Sequence, residues 1–263
     1  MATTKRKTAR AVHPNEGVRA AYKRAMDDLI AEMANSFEYW LAAAYKANPP
    51  RMEVAMDALP SKELGKKVSA IGKRWIKKFD DMATSIATKF AESGRKATDS
   101  SFQSALKDAG WAVNFQVTPV MRDAMNATIT ENIGLIKSIP QQYLTDVEGI
   151  VMRGFSQGRD LKTISDELQS KFGVTKRRAA LIARDQSNKL TATVTQARRV
   201  ELGLFEATWQ HSGGGKDPRP SHVKAGKDKQ KFDVREGCLI DGKYILPGTE
   251  INCRCSSRTI LPF

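Results

Sequence analysis

The sequence predicts an α+β protein, with a mostly α-helical N-terminal region of long amphipathic helices and a small β-containing C-terminal domain. Three observations predict it. From residue 17 to about residue 202, apolar residues recur at every third or fourth position, the period of a helix buried along one face. After Gly203 that period disappears. The stretch 204–263 then gathers all three cysteines, four of the ten prolines and two β-prone runs around an Asp-Gly pair. A chain of 263 residues with 41% hydrophobic residues has enough apolar side chain for one large or two modest cores, which excludes disorder throughout.

Taken in order, residues 1–15 are polar and basic, end in His13-Pro14, and read as a flexible arm. A helical region follows over 16–148. Val18, Ala21, Tyr22, Ala25, Leu29, Met33, Phe37, Trp40 and Leu41 form the first stripe, and Asn48-Pro49-Pro50 stops it because proline cannot continue a helix. Ser61 is placed to cap a second helix that ends near Ser93-Gly94, with Leu64, Val68, Ile71, Trp75, Phe79, Met82, Ile86 and Phe90 on one face. Lys66, Lys67, Lys73, Arg74, Lys77 and Lys78 occupy the rest of it, the pattern of a solvated face, with phosphate contact as the alternative. Shorter helices are predicted over 97–109, 118–138 and 140–156, the last opened by Pro140.

The third region, 149–263, starts with helices to about 203. Asp160–Phe172 is predicted to close at Gly173, and Thr175 to cap a helix reaching Leu202, with Gly203 as its terminator. Phe205–His211 reads as a strand. Gly237–Ile240 and Lys243–Leu246 flank Asp241-Gly242, a dipeptide that accepts the positive φ angles of a type I′ turn; a two-residue hairpin there pairs Cys238 with Ile245.

Charge narrows the class of partner. The chain carries 43 Lys+Arg against 29 Asp+Glu, a formal net charge of +14. Residues 1–24 hold a net +6 and residues 171–199 a net +7, while 25–170 is nearly neutral at −1. Two basic zones therefore point to a polyanion such as nucleic acid, with Lys5, Arg6, Lys7, Arg10, Lys176, Arg177, Arg178 and Arg184 as the contact residues. The N-terminus lacks the apolar stretch of about 7 or more residues of a secretion signal, and no window approaches the roughly 20 apolar residues of a membrane span. A soluble protein made in a reducing cytosol is expected, since three cysteines cannot close a disulfide framework.

His222, Cys238, Cys253 and Cys255 number the four ligands that zinc takes tetrahedrally from sulfur and nitrogen. Their spacing, one Cys-x-Cys and two distant residues, is not that of ribbons or fingers, so buried or disulfide-paired cysteines stand as the alternative. His211 and His222, with Glu206, Asp217, Arg219 and Lys224 nearby in sequence, contain the residue types of a nuclease, but no short motif fixes their positions. There is no phosphate-binding loop, His-Glu-x-x-His or Gly-x-Ser-x-Gly, which leaves ATPase, zincin and α/β-hydrolase readings without support.

A set of ordered features runs from about Gly149 to Cys255. It comprises Gly154-Phe-Ser-Gln-Gly158-Arg-Asp-Leu-Lys-Thr-Ile164, then Arg178-Ala-Ala-Leu-Ile-Ala-Arg184-Asp-Gln, then Gly203 and Trp209, then Asp217-Pro-Arg219 with His222, and finally Pro247-Gly248-Thr-Glu-Ile-Asn252-Cys-Arg-Cys255. In this order and spacing the C-terminal part resembles the phage Mu F-like head-morphogenesis family, the minor head proteins of tailed bacteriophages. Asp185-Gln186 stands where that family usually has Thr-Glu, and Cys238 matches no family position. The resemblance implies a non-enzymatic minor capsid component that acts in head morphogenesis at or near the portal vertex. It implies portal, major capsid or scaffold proteins as partners, and a virion location in the head interior, where packaged double-stranded DNA is within reach. Two other classes remain beside it: a nuclease-like effector carried in the virion, and a sequence-independent DNA-binding protein.

Overall fold

The computed structural model describes residues 6–47, 59–156 and 161–263. Among them are four long helices, α1 (Glu16–Ala47), α2 (Leu59–Asp108), α3 (Pro119–Ser156) and α4 (Leu161–Glu201), and a short one, α5 (Pro220–Lys227). The strands are β1 (Glu206–Gln210), β2 (Lys231–Asp233), β3 (Cys238–Ile240), β4 (Lys243–Ile245) and β5 (Ser256–Thr259). The class is the α+β arrangement that the periodicity predicts. No helix among the described residues is long and apolar enough to cross a membrane.

The helices are longer and fewer than expected, and each merger has a local cause. Gly94 does not stop α2. A Cβ at that position would stand 2.2 Å from Cδ2 of Leu190 on α4, so glycine is there to let α4 approach. A helix-interior glycine costs only about 1 kcal/mol relative to alanine, which packing at such a crossing outweighs. Ser61 lies inside α2, because the helix starts at Leu59. Pro140 lies inside α3 rather than at a helix start. It removes one backbone donor, and side chains satisfy carbonyls close by: Ser138 Oγ donates to the Leu135 carbonyl (2.6 Å) and Arg178 to the Ser138 carbonyl (3.2 Å). Gly173 and Thr175 sit within α4, where the Thr175 hydroxyl donates back to the Lys171 carbonyl (3.0 Å) instead of capping a new helix. Asn48-Pro49-Pro50, Gly158 and Asp160 lie outside the described residues.

The chain forms two compact units that do not follow chain order. One comprises Met1–Ala21, Thr88–Thr130 and Ala183–Phe263, the other Tyr22–Ala87 and Glu131–Ile182. Among the described residues the second is purely helical. Met26, Ile30, Met33 and Phe37 of α1, Phe79 and Ala83 of α2, Ile136, Ile139 and Tyr143 of α3, and Ile164 and Leu168 of α4 fill its core. The Tyr22 hydroxyl donates to Asn132 Oδ1 (2.8 Å) within it, which satisfies both buried groups. Gly154 meets Ile164 at a distance that leaves no room for a Cβ. Trp40 and Met82, placed on the apolar stripes by their spacing, are 48% and 42% exposed, so these stripes are narrower than the sequence suggests. The six basic residues Lys66 to Lys78 on α2 are all exposed, which a solvated face and a phosphate-contacting one share.

The first unit holds the sheets. β1 is central, antiparallel to β2 on one side and to β5 on the other. The described part of the arm, residues 6–15, is not free. Thr8 bridges Ile260, the Ala9 N–H donates to the Thr259 carbonyl (3.0 Å), and the Leu261 N–H donates to the Lys7 carbonyl (2.9 Å). The arm therefore continues the sheet beyond β5, and Ala9 and Val12 pack with Phe102, Leu106, Leu204 and Leu261. Its apolar residues drive this docking, a signal that the charge count conceals. Gly203 terminates α4 at φ +70°, with the Gly203 N–H donating to Val200 (3.1 Å) and the Leu204 N–H to Arg199 (2.8 Å), the paired bonds of a Schellman end. Asp241 and Gly242 take φ +49° and +77°, so the hairpin β3–β4 turns as predicted and Cys238 pairs with Ile245.

Candidate functional site

The segment Pro247–Cys255 leads into β5 and is fastened by two side chains of α4 and by Arg219. Asn188 on α4 donates to the Cys253 carbonyl (2.9 Å), Arg184 to Asn252 Oδ1 (2.5 Å), and Arg219 to the Ile251 carbonyl (3.0 Å). The Asn252 N–H donates to Asp185 Oδ1 (3.1 Å), and Asn252 itself holds φ +61°, a conformation that asparagine tolerates better than most residues. Burial pushes the Asp185 carboxyl above the usual aspartate value, while that N–H pulls the other way. Gly248 has φ +91°, and a Cβ there would press on the Cys255 carbonyl at 3.2 Å. The motif residues Arg184, Asp185, Gly248 and Asn252 thus shape this turn.

The turn delivers Cys253 and Cys255 to His222. α5 starts at Pro220, a residue preorganised for a first helical position, and places His222 two residues on, 3% exposed. Trp209 of β1 packs edge-on against the imidazole, with ring centroids 5.1 Å apart. His222 Nδ1 lies 3.6 Å from Cys253 Sγ and 3.8 Å from Cys255 Sγ, and its Nε2 lies 3.5 Å from Glu250 Oε2. The ligand atoms of His222, Cys253 and Cys255 all fall within 4.8 Å of one another. The Gly248 N–H donates to Cys253 Sγ (3.4 Å). Hydrogen bonding from Cys255 pulls the Cys253 thiol well below its ordinary value, against burial, and the same shared proton pushes Cys255 up.

Cys238 is not in this cluster. It is fully buried on β3 among Ala207, Phe232, Val234 and Ile240, and burial raises its thiol pKa, the condition of a small core hydrophobe. The four-ligand set expected from sequence thus becomes three. Glu250, which the sequence reading did not single out, takes the place beside His222; its position two residues before Asn252 in the cysteine motif was the available signal.

A polar cleft of about 230 Å³ opens over the cluster, lined among others by His211, Asp217, Arg219 and Arg254 together with His222, Cys253 and Cys255. Of the residue types that suggested a nuclease, His211, Asp217, Arg219 and His222 therefore share one cleft. Glu206 does not line it and pairs with Arg6. Lys224 is exposed on α5.

The expected polyanion contacts separate into two kinds. Arg6, Lys7, Arg10 and Arg177 are exposed, Lys176 is half-buried with its ammonium 5.3 Å from the Phe172 ring, and Lys5 lies outside the described residues. Arg10 also bonds Asp108 (3.3 Å) and Ser104 (3.0 Å). Arg178 and Arg184 are occupied internally, on Ser138 and Asn252.

Residues 145–258 match the family described as Phage Mu protein F like protein, which covers the α4 motif, α5 and the cysteine turn. The likeness read from the sequence motifs in the C-terminal part is therefore shown over that stretch. The chain is also 37% identical over 144 residues to an uncharacterized protein of Haemophilus influenzae, a stretch that spans 55% of this chain and 31% of that protein. No solved structure matches the chain.

Proposed function

We propose, from the match over residues 145–258, that the protein is a minor head component of a tailed phage and acts in head morphogenesis at or near the portal vertex. That match is the observation that carries the reading. Its partners are then the portal protein and the major capsid or scaffold proteins, and its location is the head interior after synthesis in the host cytoplasm. The exposed Arg6, Lys7, Arg10 and Arg177 support contact with packaged double-stranded DNA. In this reading the chain assembles and does not catalyse.

Co-expression with the portal protein encoded beside it tests the assignment. Joint purification, and recovery of the chain from isolated heads, is the expected result; a chain that never accompanies the portal and is absent from heads refutes it. DNA contact is tested separately by titration at increasing salt. Phosphate contact requires affinity to fall steeply with salt, so salt-insensitive binding contradicts it. The shared cleft of His211, Asp217, Arg219 and His222 favours the nuclease reading as the rival. DNA cleavage that is lost in both His211→Ala and His222→Ala would replace the assembly reading with that one.

A further inference from the structure

We propose that His222 Nδ1, Cys253 Sγ and Cys255 Sγ bind a single zinc ion whose fourth position faces the cleft of His211, Asp217 and Arg219. Tetrahedral zinc with Zn–S near 2.3 Å and Zn–N near 2.0–2.1 Å requires an S···N edge of about 3.6 Å. The two S···N distances are 3.6 and 3.8 Å, close to that edge, and all three donor atoms lie within 4.8 Å of one another. The chemistry of the donors agrees with the geometry. Two S–H groups would compete for one imidazole lone pair, whereas one cation satisfies all three donors at once.

The surroundings are those of metal-held thiolate and imidazole. Glu250 Oε2 stands 3.5 Å from Nε2, on the side of the ring away from the sulfurs, the place of the carboxylate in a carboxylate–histidine–metal arrangement that orients a ligand through Nδ1. The Gly248 N–H is aimed at Cys253 Sγ. The buried Trp209 indole N–H stands beside Cys255, where a thiolate is the acceptor at hand. Sulfur and imidazole donors select zinc over magnesium or calcium. Among the described residues no fourth His, Cys, Asp or Glu joins the three, and the open side is the cleft, so water or an exogenous donor completes the tetrahedron. The ion ties α5 to the cysteine turn beneath β1. This inference does not rest on the head-morphogenesis reading, because metal content is read on the purified chain alone.

The full chain, purified without chelator, is assayed for metal and for its cysteine state. One zinc per chain is expected, retained in Cys238→Ala and lost in His222→Ala, Cys253→Ala and Cys255→Ala. Since those three variants can fail to fold, wild-type protein and Glu250→Gln supply independent readouts. Glu250→Gln weakens zinc affinity about 10- to 100-fold. Cobalt(II) exchanged into the wild type gives a thiolate-to-metal absorption band, which shifts on addition of azide through the open position. A chelator lowers the melting temperature of the wild type. Metal-free folded protein indifferent to chelator, a Cys253–Cys255 disulfide in unreduced protein, loss of zinc in Cys238→Ala, or a cobalt spectrum untouched by azide each overturns the proposal.

Discussion

Replacing Arg198 by methionine removes a charge from the interior of the first unit and keeps most of the side chain's aliphatic volume. Arg198 is 1% exposed. Its guanidinium donates to both carboxylate oxygens of Asp99 (2.8 and 2.9 Å), to the Gln116 carbonyl (2.6 Å) and to Glu201 (2.7 Å), and it lies 4.6 Å from the Phe115 ring centre. Burial opposes the charge, yet the bonds to Asp99 and Glu201 hold the pKa above the ordinary arginine value. Breaking a buried pair by removing one partner costs about 3–5 kcal/mol, because the other charge is left uncompensated. Asp99 keeps Arg95 at 2.7 Å, which places Arg198→Met at the lower end, about 3 kcal/mol. Urea unfolding followed by far-UV circular dichroism measures it. Asp99→Asn with Arg198→Met must cost less than the sum of the two singles, with a coupling of about 0.5–3 kcal/mol. A single variant within about 0.5 kcal/mol of wild type, or strictly additive singles, would refute the internal role assigned to this arginine.

Gly94→Ala drives a Cβ into Leu190 and should destabilise by about 1–3 kcal/mol, the usual cost of overpacking, and should cost far less when made in a Leu190→Ala background. Gly242→Ala forces φ +77° on a residue with a Cβ and should cost about 1–2 kcal/mol in the same unfolding assay. Asp185 has its folded pKa raised, chiefly by burial, so the stability linked to its protonated form is present below the unfolded value and lost as pH rises through the folded one. Asp185→Asn should remove that acid-side slope from a stability–pH profile; an unchanged slope would show that the carboxyl is not the group responsible.

The hairpin, the strand over 206–210 and the Gly203 helix end were legible because each is written in a few adjacent residues with strict conformational demands. Helix boundaries inside α2, α3 and α4 were not. Gly94, Pro140 and Gly173 carry the local signature of a stop, and what overrides it is a partner far along the chain, such as Leu190 against Gly94. The same holds for the site. His222, Cys253 and Cys255 were identifiable by type, but exclusion of Cys238 depends on which face of β3 it takes, and Glu250 becomes relevant only once the turn at Gly248 brings it to Nε2. Residues 6–15 read as a free arm for a related reason, since Ala9 and Val12 have no visible partner in sequence until β5 lies beside them.

The net +7 of residues 171–199 predicts a basic helix face, yet Arg198 and Arg199 are buried, and Arg178 and Arg184 each hold a neighbouring loop or helix. Arg199 donates to Thr259 Oγ1 (2.8 Å), Ser257 Oγ (2.8 Å) and the Ser257 carbonyl (3.1 Å), which ties α4 to β5 through neutral oxygens, and burial pulls its pKa down to about 10. The identity of the basic residue carries the distinction. Arginine's planar fork satisfies several acceptors at fixed angles, whereas lysine offers a strongly hydrated point charge that favours the surface. On α4 four of the five arginines in this stretch are engaged internally, and the exposed exception is Arg177. A basic run rich in arginine and interleaved with small apolar residues is therefore as much a signature of a helix that organises its neighbours as of one that faces a polyanion.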